Sequence, residues 1–292
     1  MKNSRPTIAT DLASEQSIEK MLNTIRIPPR PSLLTDVQQE LSCSQPSPPK
    51  LAAIIGQDVA MSAALLKLAN SAYIGLKLKA KSVEQAVMRL GMDQCSLLLT
   101  GILARETVQI EGVSLASFWD QSTKRSKAMS FYAKKFGICR SDVAHTVGLF
   151  CNIGVPLLMT KFPNYEAQMA AHDPSDLRII TAIENDLFHT SHTALGALMA
   201  RTWGLPDEVV DAILLHHQYA VLKDQNTPAI VRGLIAVALL VDYGIHRYHS
   251  QQDMREWLIG GEDVRNYLGI SQHDADDIAD EIHAMFDGVA SS

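Results

Sequence analysis

The chain has 292 residues, 47% of them hydrophobic and 20% charged, enough for one large domain or two small ones around a sizeable core. A formal net charge of −6 argues against bulk attraction to nucleic acid or an anionic membrane. Four scattered cysteines (Cys43, Cys95, Cys139 and Cys151) form no Cys-x-x-Cys pair, which speaks against a disulfide framework and fits a reducing, cytoplasmic setting.

Residues 1–13 are polar and expected to be loose, with no apolar run that would mark a signal peptide. Ile18, Leu22 and Ile25 predict a short helix over 14–25. Ile27-Pro-Pro-Arg-Pro31 is a stiff turn, because the residue before each proline is driven out of the helical region. A helix then runs from Pro31 or Ser32 through Leu41, Gln45–Pro49 breaks it, and Lys50–Ile55 is a short helix. Asp58 can accept from the unpaired N–H groups of the next helix, whose stripe is Met61, Leu65, Leu68 and Ala72. Its end is unusual, since Asn70, Ser71 and Tyr73 place polar groups where the apolar face should continue. Ser82 and Gln85 then form a capping box ahead of Val83, Ala86, Val87 and Leu90, and Gly91 closes that helix.

Helices are expected over 93–105, 118–136 and 141–150, with a connector at 111–117. Further pieces are 157–162, 163–171, 174–187 (with Asp173 and Pro174 as cap and first residue), 191–203 and a helix opening at Pro206. Three more helices are expected in the tail, the last with Ile278, Ile282 and Phe286 on one face. The most apolar window, Ile230–Ile245, is interrupted by Arg232 and Asp242 and falls short of the about 20 residues a membrane span needs. No alternating β-branched run predicts a strand. The expected fold is all-α and two-lobed. It comprises a loose segment 1–13, an N-terminal lobe 14–110, a second lobe 111–222 and a helical extension 223–292 packing on the second lobe.

The ordered string Gln57-Asp58, Leu65-Leu66-x-Leu-Ala-Asn-Ser71, Ser82-Val83, Ala86 and Leu90-Gly91 resembles the HDOD family. These are bacterial signalling and regulatory domains related to HD-type phosphohydrolases, and the resemblance covers about residues 17–222. It implies a second lobe built like an HD-type site, in which a His, a His-Asp pair and a later Asp hold divalent metal and deprotonate its water. By that resemblance Gln121 stands at the first His. The string Gly148-Leu-Phe-Cys-Asn-Ile-Gly154 puts Cys151 and Asn152 at the His-Asp pair, and Leu239 aligns with the closing Asp, with Asp242 one turn on. Neutral amides are poor ligands, so no catalytic residues, metal or cofactor are expected. The segment Glu184-x-x-Leu-Phe-His-Thr-Ser-His192, with Gly196 and Trp203–Pro206, resembles a second family segment in which His189 replaces the usual Gly.

His192, His216, His217 and Asp211 form the expected remnant of a pocket. His217 reads as a satisfied core residue lacking carboxylate company, and His216 as a cationic cap of a helix C-terminus. Asp58, Asn70, Ser71, Tyr73, Ser82 and Gly91 are the family-motif positions, with Asn70 and Ser71 expected to bond backbone groups of the following loop. Two basic clusters, Lys77/Lys79/Lys81 and Lys124/Arg125/Lys127, read as solvated faces. The expected function is a non-catalytic regulatory module working through protein partners, with no nucleic acid or membrane partner. The alternatives are a divergent metal-dependent phosphohydrolase using His192, His216, His217 and Asp211 or Asp242, or a metal-free sensor of a nucleotide or cyclic dinucleotide.

Overall fold

The computed structural model describes residues 27–70, 78–173, 176, 178–249 and 254–287. The expected helix over 14–25, the loose segment 1–13, Ser71, Tyr73, Lys77 and Pro174 lie outside those residues. All regular structure among the described residues is helical. Among the described residues the β-structure is one isolated bridge, Ile110 to Val113, in the 108–115 connector.

The N-terminal part holds α1 (Ser32–Ser42), α2 (Pro48–Gly56), α3 (Val59–Ala69), α4 (Val83–Leu90) and α5 (Met92–Thr107). Asp58 starts α3 by accepting from the Met61 N–H at 3.0 Å. Ser82 starts α4 by accepting from Gln85 N–H at 3.2 Å, and the Gln85 amide oxygen reaches back to Lys81 N–H at 2.9 Å. Gly91, at φ 90°, ends α4 and opens α5 in a backbone conformation side-chained residues avoid. Asn70 clamps the segment between α3 and α4: its Nδ2 donates to Ala80 O at 2.8 Å and its Oδ1 accepts from Ala80 N–H at 2.7 Å.

The second part holds α6 (Ala116–Lys135), α7 (Ser141–Phe150), α8 (Gly154–Lys161), α9 (Tyr165–Ala170), α10 (Ile180–Phe188), α11 (His192–Thr202) and α12 (Asp207–Leu215). A 3₁₀ turn at Tyr219–Lys223 leads into α13 (Ala229–His249), α14 (Arg255–Leu268) and α15 (Gln272–Asp287). α13 is central, packing on α6, α12, α14 and α15. α10 begins six residues later than the sequence spacing suggests. Ahead of it Asp176 accepts from the Arg178 side chain and backbone and pairs with His172, a local knot that competes with helix.

The two parts meet at the proline turn. Trp203 Nε1–H donates to Pro28 O at 3.0 Å, Arg30 donates to Thr202 O at 2.8 Å, and Gln38 donates to Trp203 O at 2.7 Å. Trp203 is fully buried, and one apolar core runs from Leu34 and Val37 through Phe150 and Leu195 to Ile282. Among the described residues two helical stretches, Ser141–Lys161 and Ala229–Tyr248, are long and apolar enough to cross a membrane by length and composition. The second overlaps the window judged too short from sequence. Both are mostly buried inside the protein, at 78% and 67% of their most apolar windows, which is the pattern of core helices.

Candidate metal and ligand site

Close backbone approach brings the site together. Ser191 caps α11 by accepting from Ala194 N–H at 3.3 Å, so His192 is the first helical residue. Gly154 opens α8 directly beneath it. A Cβ on Gly154 would lie 2.0 Å from His192 O and 2.9 Å from His192 Cα, so only glycine allows this contact. His189 makes the preceding turn at φ 54°, a left-handed conformation that glycine adopts without strain. α12 ends at Leu215, which places His216 and His217 at its C-terminus facing His192.

Ligand atoms of His192, His216 and His217 all lie within 4.8 Å of one another, and all three residues are buried. His192 and His217, expected to lack carboxylate company, both have it. His192 Nδ1 lies 2.7 Å from Glu184 Oε2, which also accepts from the His192 backbone N–H at 2.9 Å. Tyr165 O–H donates to Glu184 Oε1 at 2.6 Å. His217 Nδ1 lies 3.0 Å from Glu256 Oε2, which also accepts from Tyr219 O–H at 2.5 Å, while Glu256 Oε1 accepts from Ile180 N–H at 3.0 Å. His217 is thus both a satisfied core residue and part of the site. His216 does stand at the end of α12, but not as a cation. Its Nδ1 donates to Ile213 O at 2.7 Å, and its Nε2 lies 3.4 Å from His192 Nε2.

The electrostatics favour neutral His192 and His216 rings and charged carboxylates. Burial pushes His216 well below its ordinary value, and the neighbouring His217 and His192 push it further. Burial also lowers His192, opposed but not reversed by Glu184. Burial alone would raise Glu184 and Glu256. The donors from His192 and Tyr165 in one case, and His217 and Tyr219 in the other, outweigh it and hold both below the usual range.

His192 and His217 form one wall of a cavity of about 300 Å³ that is also lined by Gln121, Arg125, Asn152, Asp242, His246 and Glu256. Two of the four degenerate positions, Gln121 and Asn152, therefore do share a cavity with the histidines. Cys151 is buried behind the lining, its thiol pushed up to about 12 by burial. Leu239 is buried and does not line the cavity; Asp242, one turn later on α13, does. Asp211 does not line it either. Its neighbours Val210, Ala212 and Ile213 take the buried face of α12, which leaves Asp211 half-buried to one side.

Arg125 corrects the reading of its basic cluster as a solvated face. Its side chain is 8% exposed, and its Nε donates to Asp242 Oδ1 at 2.6 Å inside the cavity. Lys124 instead pairs with Asp120 at 2.8 Å on the outside. Lys79 and Lys81 are exposed. A larger cleft of about 410 Å³, lined in part by Gln38, Asp93, Thr100, Arg140 and Glu208, lies where α1 and α5 meet α12, away from the histidines.

The HDOD domain family model matches residues 27–219. The chain belongs to the HDOD family. A curated relative, an uncharacterised protein of Treponema pallidum (strain Nichols), is 26% identical over 214 residues, covering 70% of this chain and 40% of that protein. The chain thus spans well under half the length of that relative. Among solved structures, an HDOD domain protein of unknown function from Geobacter sulfurreducens superposes with a TM-score of 0.62 at 21% identity, covering 93% of this chain and 96% of that one. A candidate phosphohydrolase from Shewanella amazonensis SB2B gives 0.64 at 19% identity, with 94% of each chain covered. A candidate signal transduction protein from Marinobacter aquaeolei VT8 gives 0.67 at 18% identity, covering 98% of this chain and 66% of that one. At such identities these likenesses establish the HD-like helical fold and nothing finer.

The family match stops at residue 219, yet Asp242 and Glu256 come from helices beyond it. Sequence reasoning missed Glu256. A signal was there: Glu256, Gly260 and Val264 recur at i, i+4 and i+8, and all three are buried, so the acid sits on the inward stripe of α14.

Proposed function

We propose that this HDOD chain is a signalling module that does not hydrolyse phosphoesters and acts through protein partners. The observation that carries the non-hydrolytic part of this reading is the Arg125–Asp242 ion pair. A hydrolytic HD-type centre needs the closing Asp free to hold a cation that activates water. Here a guanidinium already neutralises that carboxylate at 2.6 Å. Of the positions that resemble the first His and the His-Asp pair, those lining the cavity offer the amides of Gln121 and Asn152, which bind hard cations weakly. The residues therefore do not fit the metal centre the fold family implies. Arg125 and Asp242 hold α6 to α13 across the cavity instead, which makes the site a structural joint of the second lobe.

The competing reading, a divergent phosphohydrolase, draws support from the three clustered histidines. Turnover separates the two. Purified full-length protein, supplied in turn with Mn²⁺, Fe²⁺, Zn²⁺ and Mg²⁺, is assayed on a chromogenic phosphodiester and on cyclic dinucleotides. The proposal expects no turnover above that of His192→Gln. Metal-dependent turnover abolished by that substitution would overturn it.

A further inference from the structure

We infer that His192, His216 and His217 bind a single borderline transition cation such as Zn²⁺ through their Nε2 atoms, with no use of Asp242. His216 Nδ1 faces the Ile213 carbonyl oxygen, which can only accept, so Nδ1 carries the hydrogen. His192 Nδ1 faces a carboxylate oxygen that already accepts a backbone N–H, so it too carries the hydrogen. A neutral imidazole has one N–H, which leaves both Nε2 atoms as bare lone pairs. These two atoms face each other 3.4 Å apart between buried rings. Two acceptors with no donor between them repel, and a cation at that point reverses the sign of the interaction.

The distance is that of a metal site. A tetrahedral zinc with Zn–N bonds of about 2.0–2.1 Å separates its nitrogen ligands by about 3.3–3.4 Å. His217 completes a set of three, with its ligand atom within 4.8 Å of the others and its Nδ1 held by Glu256. Each ring is thus fixed through Nδ1, by Glu184, Ile213 O and Glu256 respectively. Outer partners of this kind orient metal-binding histidines and raise their basicity. An all-nitrogen set selects Zn²⁺, Co²⁺, Ni²⁺ or Fe²⁺ over Mg²⁺ or Ca²⁺, which prefer oxygen. His192 and His217 line the cavity, so an ion has a way in, and a fourth ligand has room on the cavity side.

The test uses full-length protein stripped with a chelator, titrated with Zn²⁺ against a chromophoric competitor and separately with Co²⁺ under visible absorption. The expected result is one ion per chain, a Co²⁺ spectrum of tetrahedral intensity and no response to Mg²⁺. Glu256→Gln, checked for an unchanged helical spectrum, is expected to weaken zinc by roughly 10–100-fold. His192→Gln is expected to abolish binding; if it does not fold, His217→Gln at the cavity edge serves instead. Failure of the wild-type chain to bind one zinc would overturn the inference. So would zinc affinity unaltered in folded Glu256→Gln and histidine variants.

Discussion

Gly154→Ala is the sharpest test of how the site is built. The added Cβ would sit 2.0 Å from His192 O, 2.7 Å from its carbonyl carbon and 2.9 Å from its Cα. All three are backbone atoms, so no side-chain tip can swing aside, and α8 must move off the start of α11 by roughly 1–1.5 Å to reach ordinary contact distance. Overpacking of this sort costs about 1–3 kcal/mol, and forcing two helices apart belongs at the upper end, about 3 kcal/mol. Gly56→Ala is the control, because its Cβ would meet nothing within 4 Å. It should be neutral or stabilising by about 0.5–1 kcal/mol through reduced unfolded-state entropy. Urea denaturation followed by far-UV circular dichroism measures both. Equal stability of the two variants would refute the close-approach reasoning.

Several other outcomes are expected. Asn70→Ala removes both hydrogen bonds to Ala80 and should destabilise by about 1–3 kcal/mol, with faster hydrogen exchange at the Ala80 amide; unchanged exchange there would contradict the clamp. His189→Gly relieves the left-handed turn and should stabilise by up to about 1 kcal/mol in the same urea assay. Arg125→Ala leaves Asp242 without its partner and should cost about 3 kcal/mol, whereas Arg125→Met combined with Asp242→Leu should cost less than that single change. Acid should destabilise the protein below about pH 6.5. His145 is lowered by burial to about 4 from 6.5, and His192 and His216 are lowered as well. The unfolded chain takes up protons that these folded histidines refuse, so stability falls from about pH 6.5 toward pH 4, with His145 alone contributing about 3 kcal/mol. A urea midpoint that stays level between pH 7.5 and 5 would count against those buried neutral rings.

Helix starts and stops were legible in the sequence because they are local. Asp58 and Ser82 each announce a helix by a side chain that bonds a backbone N–H three residues on, and each does so in the structure. The all-α class and the approach of His192 to His217 were legible too, the latter through the family segment. What escaped was decided by tertiary burial. Glu256 looks like an ordinary acid in a helix first turn, and only the placement of α14 against Tyr219 and Ile180 turns it inward. Arg125 looks like one of three surface cations until α13 brings Asp242 across from it, 117 residues away. Leu239 and Asp242 lie within one turn of each other on a largely apolar helix, so the facing residue could not be chosen without the helix's rotation. The start of α10 was misplaced because the Asp176–Arg178 knot outbids helical bonding locally.

Arg125 occupies the Asp242 carboxylate that a catalytic cation would need. Anomalous-difference density from crystals grown with Mn²⁺ or Zn²⁺ addresses it directly. The predicted map has no metal peak within coordination distance of Asp242 and keeps the Arg125 guanidinium on that carboxylate. A metal ion bound by Asp242, with Arg125 turned away, would contradict it.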